Sequence, residues 1–271
     1  MGQATPTSRR RSIEKLRRNR GGESVYSTKW EIAIPTSRLP EARAAFRERL
    51  VPALNGTPGL VRLLVPTSGG HSFGKLGESG RHIDADGYSM DCYALWETET
   101  VMRANLGRLF IEGARVLGDA PFFPLEGRRF RGAFYEVLVH TDDGTNEGLH
   151  AKRADIPVLL ERQEDAIGLL ANTVLPTLAD RPGFAGALVL GSLKGRTVGS
   201  VSEGKREEVV VRPYECLTLW RTREDMEAGG DHLRSLVLHA TPPIVPKGRL
   251  GTIYTTRYDE VILLAAPGNV S

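Results

Sequence analysis

The stretch Asp91-Cys92-Tyr93-Ala94-Leu95-Trp96-Glu97-Thr98 decides the fold, because the sequence repeats it as Glu215-Cys216-Leu217-Thr218-Leu219-Trp220-Arg221-Thr222. Trp220 follows Trp96 by 124 residues, and the same offset relates positions along most of the chain. The matched pairs include Ile32 with Ile156, Pro52 with Pro176, Gly59 with Gly183, Leu64 with Leu188 and Met102 with Met226. Self-similarity at one fixed offset predicts an internal duplication.

Each copy predicts the order strand, helix, strand, strand, helix, strand. Apolar residues alternate in the predicted strands and recur every three or four positions in the predicted helices. The predicted strands of the first copy are 27–34, 60–65, 88–97 and 130–139, and its helices are 39–54 and 98–116. Those of the second copy are 152–159, 184–190, 207–220 and 252–264, with helices 164–178 and 223–240. This order predicts an α+β fold of two tandem ferredoxin-like units, whose uncovered sheet faces should pack together.

Composition divides the chain into four segments. Residues 1–24 are rich in arginine and predict a disordered basic tail, and the polar residues 141–150 predict a linker. The two predicted domains are therefore 25–140 and 151–265.

The totals exclude several classes of protein. The sequence is 40% hydrophobic and 25% charged, which is typical of a soluble globular protein. It contains no apolar run long enough for a transmembrane helix and no apolar segment after the basic tail that would indicate export. The two cysteines suit the reducing cytoplasm. The net charge of +3 lies mostly in the tail, so we expect neither a nucleic-acid nor a membrane partner.

The segment Tyr93–Glu99 resembles the strand-to-helix signature of antibiotic-biosynthesis monooxygenase (ABM) domains, and Leu219–Glu224 is a weaker second match. The resemblance implies a dimeric α+β barrel, formed here within one chain. It also implies a cofactor-independent monooxygenase of secondary metabolism that acts on an aromatic or polyketide-type small molecule. Trp96 and Trp220 would then line the pocket between sheet and helices.

Cys92 and Cys216 stand where the family usually has an Asn that helps to hold the substrate's oxygen. They are therefore substrate-binding positions by resemblance, although a buried thiol that only fills space is the alternative. The missing Asn favours a cyclase, isomerase or lyase on the same scaffold as the second interpretation, and a non-catalytic ligand-binding protein is the third. The same open choice applies to Trp96 and Trp220, which can also serve as core side chains.

Three residues are candidates for the catalytic base: His71, His82 and Asp91. The two histidines lie in the Gly-rich segment 67–87, which predicts a long loop of the kind that forms lids or binding sites. The matching segment of the second copy has no His, so the first half is the better candidate for a single active site. Asp91 recurs as Glu215 and can instead form a salt link across the sheet.

The sequence predicts no cofactor. It has no phosphate loop, no dinucleotide-binding glycine motif and no tight metal-ligand spacing. His232 and His239 lie later on their predicted helix than the His of haem-degrading family members. The expected partner is a small aromatic substrate, and a homo-oligomer is compatible with the sequence.

Overall fold

The computed structural model describes residues 24–54, 56–76, 82–117, 133–142, 148–202, 205–240, 244–246 and 254–265. The predicted tail lies almost entirely outside these ranges. Within them, no helix is long and apolar enough to cross a membrane.

The first half of the chain has the predicted order of elements. Its strands are β1 (Tyr26–Pro35), β2 (Leu60–Leu76), β3 (His82–Trp96) and β4 (Ala133–Asp142). Its helices are α1 (Leu39–Ala45), α2 (Val51–Leu54) and α3 (Glu99–Leu117). A π-helical turn, Phe46–Leu50, joins α1 to α2.

The second half repeats this order and adds one strand. Its strands are β5 (Leu149–Leu159), β6 (Phe184–Ser192), β7 (Arg196–Ser202), β8 (Lys205–Trp220) and β9 (Tyr254–Ala265). Its helices are α4 (Gln163–Leu169), α5 (Leu175–Ala179) and α6 (Arg223–Ala240). A π-helical turn, Leu170–Val174, again joins the first two helices. The predicted α+β class is confirmed, and β7 is the strand that the sequence did not predict.

Each compact unit takes its last strand from the other half of the chain. The N-terminal unit contains Tyr26–Ala133 and Tyr258–Ser271, and its strands pair in the order β9-β2-β3-β1. The C-terminal unit contains Phe134–Arg257, and in it β4 pairs with β6, while β8 pairs with β5, β6 and β7. All of these pairings are antiparallel. The predicted domains 25–140 and 151–265 follow the copies, whereas the compact units exchange β4 and β9.

The segment predicted as a linker is partly strand. β4 runs to Asp142 and β5 begins at Leu149. The end of β4 and the start of β5 both hydrogen-bond to neighbouring strands of the C-terminal unit. These hydrogen bonds hold the backbone as strand, although the polar composition of the segment is typical of a loop.

The composition of the Gly-rich segment 67–87 predicts a long loop, and this prediction is wrong for its described residues. β2 continues to Leu76 and pairs with β3 from His82 onward. The pairing is irregular between Ser68 and His71, where glycines are tolerated because a bulge interrupts the ladder. A Cβ on Gly69 would lie only 2.6 Å from the Tyr88 ring. The glycine therefore allows the Tyr88 ring to pack against the backbone of β2.

Two adjacent glycines let α6 lie close to the sheet. A Cβ on Gly229 would overlap the six-membered part of the Trp220 indole, and one on Gly230 would overlap the Lys152 side chain. Glycine within a helix costs about 1 kcal/mol relative to alanine. Close packing of α6 on Trp220 therefore explains why this helix contains glycines, which have low helix propensity, at positions 229 and 230.

Replacing Gly229 with alanine should lower the free energy of unfolding by about 1–3 kcal/mol, because overpacking outweighs the gain in helix propensity. Gly107 of α3 is the matched control: a Cβ there meets nothing within 4 Å. Gly107→Ala should therefore raise the free energy of unfolding by about 0.5–1 kcal/mol. Urea denaturation of the two variants measures both values. Equal effects of the two substitutions would contradict the packing role of Gly229.

Candidate functional site

The two faces of β3 carry different chemistry. Cys92 and Trp96 lie on one face and Asp91 on the other, because successive side chains of a strand alternate. The register pairs Cys92 with Trp30 of β1 and pairs Asp91 with Glu31. The structure therefore brings the predicted wall residues Cys92 and Trp96 to one side of the sheet and the predicted base Asp91 to the opposite side.

Both predicted wall tryptophans are fully buried with their indole nitrogens bonded. The Nε1 of Trp96 donates a hydrogen bond of 3.2 Å to Thr28, and that of Trp220 donates one of 3.0 Å to Thr218. Trp220 also meets the Phe184 ring edge-on, at 5.3 Å between centroids. Both indoles thus have fixed positions in the protein, and that of Trp220 lies between the sheet and α6.

Asp91 is the buried centre of a polar cluster in the N-terminal unit. Its Oδ2 accepts a hydrogen bond of 2.5 Å from the Tyr258 hydroxyl and lies 3.4 Å from the Lys29 Nζ. The Ser89 hydroxyl lies 3.5 Å from its Oδ1 and 3.0 Å from the Glu31 Oε1. Asp91 is only 2% exposed, so these contacts replace water around its carboxylate. We refer to these five residues as the Asp91 cluster.

The C-terminal unit has a related but different arrangement. The Tyr135 hydroxyl donates a hydrogen bond to Glu215, the counterpart of Asp91. Burial, and then the charge of Glu215, raises the pKa of Tyr135 well above its ordinary value. Nearby, Arg212 donates hydrogen bonds of 2.9 Å to Glu136 and 2.8 Å to Gln163. In both units, therefore, the exchanged strand supplies a tyrosine to the acid that precedes the cysteine.

An apolar cavity lies between the sheet and helices of the C-terminal unit. Its volume is about 10 Å³, and its exposed surface is formed by apolar atoms alone. The wall includes Ala154, Leu170, Ala187, Cys216 and Thr218, from β5, β6, β8 and the π-helical turn. A space of this size holds about one water molecule. Cys216, one of the predicted substrate-binding residues, thus borders this cavity.

The same layer of the N-terminal unit carries larger side chains at the matching positions. At the 124-residue offset, Trp30 replaces Ala154, Phe46 replaces Leu170 and Leu63 replaces Ala187. All three of these larger residues are buried. The sequence favours the first half as the place of a single site, whereas the apolar cavity described above lies in the second.

The two cysteine thiols are free and buried. Burial raises the pKa of Cys92 well above its ordinary value, and the charge of Asp91 adds to the effect. Burial, followed by the charges of Asp155 and Glu215, raises the pKa of Cys216 to about 12. A protonated thiol is a weak nucleophile, so neither cysteine is prepared for covalent catalysis.

Both thiols should resist iodoacetamide at about pH 8 in the native protein and react on unfolding, because only unfolding restores an ordinary thiolate population.

The free energy of unfolding should also fall as the pH rises into the alkaline range. The unfolded Cys216 loses its proton near pH 9, whereas the folded residue keeps it to about pH 12, so its contribution is lost between these values. Chemical denaturation across this range measures the loss. Rapid alkylation of the native protein would contradict the assignment.

The structure places the three histidines of interest on regular elements. His71 lies opposite Gly87 and His82 opposite Leu76 in the β2–β3 hairpin, but the side chains of both predicted bases lie outside the described residues. His232 lies on α6, and its Nε2 is buried without a hydrogen-bond partner in the described part of the chain. Among the described side chains, no group of three or more His, Cys, Asp or Glu residues is placed to hold a metal ion.

Sequence reasoning missed the residues that meet the two acids. Tyr258 lies 167 positions from Asp91, and Tyr135 lies 80 positions from Glu215. No local pattern reveals such pairs, because they depend on which sheet each fourth strand joins. Lys29 did carry a signal, since a lysine in the middle of a buried strand usually has an acidic partner.

No family model matches the sequence, and no curated protein matches it. Several solved structures do share its fold. One is a "Putative monooxygenase" from Fusobacterium nucleatum subsp. nucleatum, with a TM-score of 0.57 at 10% identity, covering 91% of this chain and 96% of the other. A second, similarly named protein from Lactobacillus acidophilus gives a TM-score of 0.55 at 9% identity, covering 89% and 96%.

A third structure, described as an anthrone oxidase-like protein, has a TM-score of 0.50 at 15% identity and covers 92% of this chain and 96% of the other. Coverage of this extent means that each likeness includes both sequence copies. At such low identities a likeness shows the fold alone. The chain therefore shares its α+β fold with proteins that carry the monooxygenase name.

Proposed function

We propose that this chain is a cofactor-independent monooxygenase-like enzyme that oxidises an aromatic or polyketide-type small molecule in the C-terminal unit. The observation that carries the proposal is the apolar cavity beside Cys216, in a layer where the N-terminal unit has larger buried side chains. Trp220, buried in the same hydrophobic cluster, supplies an aromatic surface there.

The reaction class needs a base and a dry environment. A base removes a proton from an activated CH₂ group, and the resulting carbanion transfers electrons to O₂ and forms a C–O bond. The hydroperoxide then loses water, so that R₂CH₂ and O₂ give R₂C=O and H₂O. The substrate supplies the electrons, and an apolar layer protects the intermediates from bulk water.

His232 is the base that we assign in this unit. It is a titratable side chain on α6, the helix that packs on Trp220, and its buried Nε2 has no hydrogen-bond partner among the described residues. An imidazole side chain is the most common general base in enzymes. Asp91 would be the base only if the reaction took place in the N-terminal unit, on the other face of its sheet.

A substrate would need the layer to open. Small-molecule pockets usually enclose about 300–1,000 Å³, whereas this cavity has about 10 Å³. Leu170 and Val174, which line it, begin and end the π-helical turn. Such turns often occur at functional sites, and this one is the element that we expect to move when a ligand enters.

The second candidate is a cyclase, isomerase or lyase that uses the same pocket without oxygen. Cys216 favours it, because a protonated thiol is a poor donor for holding a substrate oxygen. A binding protein without catalysis would retain the pocket and lack turnover altogether.

Oxygen uptake with an anthrone separates these functions. The monooxygenase should consume one O₂ for each quinone formed, and Ala187→Val, which fills the cavity, should lose most of the turnover. The matched control, Leu63→Val in the N-terminal unit, should keep it. His232→Gln should slow turnover at least about 100-fold. Product formation at full rate without oxygen would support the second candidate, and binding without any product would leave a binding protein.

We also propose that the two halves arose by tandem duplication. Backbone features recur at the same 124-residue offset as the sequence. The π-helical turns occupy 46–50 and 170–174, the irregular starts of β2 and β6 lie at 60–62 and 184–186, and Gly59 and Gly183 share a positive φ. Such features are not required by the hydrophobic pattern, so their recurrence supports common descent of the halves. The intramolecular barrel remains part of this proposal.

A further inference from the structure

Tyr214 carries a buried hydroxyl group without a partner. The residue is fully buried on β8, and its Oη makes no hydrogen bond within the described part of the chain. A tyrosine hydroxyl in an apolar interior normally finds a partner, because leaving it unpaired costs free energy. The free protein therefore bears a cost at this position that a phenylalanine would remove.

The neighbouring guanidinium does not meet this need. Arg212 lies over the Tyr214 ring, 5.9 Å from its centroid. Its donors are directed to Glu136, Gln163 and the Ser192 carbonyl oxygen, at 2.8–2.9 Å. The guanidinium group has no acceptor for the tyrosine proton. Arg212 therefore contacts the ring without pairing with the hydroxyl.

Strand geometry places Tyr214 in the layer of the cavity. Residues 214, 216 and 218 lie on one face of β8, because side chains alternate along a strand. Cys216 and Thr218 line the cavity, and Tyr214 belongs to the same hydrophobic cluster as Cys216. Its counterpart in the N-terminal unit is Met90, which has no hydroxyl. The polar group and the cavity thus occur in the same unit.

We propose that the Tyr214 hydroxyl is the group that recognises an oxygen atom of the ligand, as a hydrogen-bond donor to an aromatic ketone or quinone. This inference rests on the pocket of the proposed function. It adds the residue that would favour ligands with a ketone or quinone oxygen. It also explains how a site that has Cys216, where the ABM domains usually have an Asn, can hold an oxygen atom of the substrate. Burial raises the pKa of Tyr214 to about 12, which keeps the proton in place at neutral pH.

A matched pair of probes tests the proposal: anthraquinone-2-sulfonate and anthracene-2-sulfonate, which differ in the two ring oxygens. Wild-type protein should bind the quinone more tightly. Tyr214→Phe should weaken quinone binding about tenfold, the value of one hydrogen bond, and leave anthracene binding unchanged. The same variant should unfold at a higher temperature, since it removes an unpaired hydroxyl.

The outcomes separate this inference from the proposed function. If the quinone binds wild type and Tyr214→Phe equally, the inference is wrong and the pocket remains. If neither probe binds wild type, the pocket and the inference both fail. A lower unfolding temperature for Tyr214→Phe would mean that the hydroxyl already has a protein partner, which also overturns the inference.

Discussion

Replacing Asp91 with asparagine should destabilise the protein by about 3–5 kcal/mol, the usual cost of removing one partner of a buried ion pair. The substitution preserves shape and leaves the Lys29 ammonium group, 3.4 Å away, facing a neutral amide. Both side chains are largely excluded from water, so solvent cannot replace the lost charge. Urea denaturation, monitored by far-UV circular dichroism, measures the loss.

A double variant provides the control. Lys29→Met combined with Asp91→Asn removes both charges and should recover most of the stability that Asp91→Asn alone loses. Asp165→Asn, in an exposed pair with Arg162, should change the free energy of unfolding by less than about 0.5 kcal/mol. If the double variant is as unstable as the single one, the Asp91 cluster is not held by this charge pair.

Trp30→Ala should cost about 3–5 kcal/mol, because truncating a buried tryptophan leaves a cavity that the surrounding structure fills only in part. Trp30 is 6% exposed and occupies the position that Ala154 has in the C-terminal unit. The substitution therefore gives the N-terminal layer the small residue that borders the cavity in the other unit.

Indole should rescue this variant. A dry cavity of the right shape binds an apolar molecule, so added indole should raise the unfolding temperature of Trp30→Ala and leave that of the wild type nearly unchanged. A loss below about 1 kcal/mol without rescue would show that Trp30 does not fill the layer.

Periodicity was sufficient for the order of elements. The helix predicted at 223–240 is α6 itself, and the helix predicted at 39–54 has the predicted extent with a π-helical turn inside it. These elements follow from the local spacing of apolar residues, which can be read from the sequence without knowledge of tertiary contacts.

The exchange of β4 and β9 did not follow from the sequence, because strand partners are chosen by contacts between residues far apart in the chain. The Gly-rich segment was mistaken for a loop for a related reason: its hydrogen bonds to β3 outweigh a weak strand propensity. The separation of Asp91 from Cys92 and Trp96 was available from strand alternation alone. The sequence does contain a signal for the cavity: the second half has Ala154 and Ala187 at the positions where the first half has the larger Trp30 and Leu63.

We infer that the layer between sheet and helices in the C-terminal unit, rather than its N-terminal counterpart, receives the aromatic ligand. Methyl NMR during titration with anthraquinone-2-sulfonate tests it directly. The largest shifts should occur at Ile156, Val174 and Val189, which line the cavity. Shifts concentrated at the matching residues Ile32, Leu50 and Val65, or no shifts at saturating ligand, would contradict the claim.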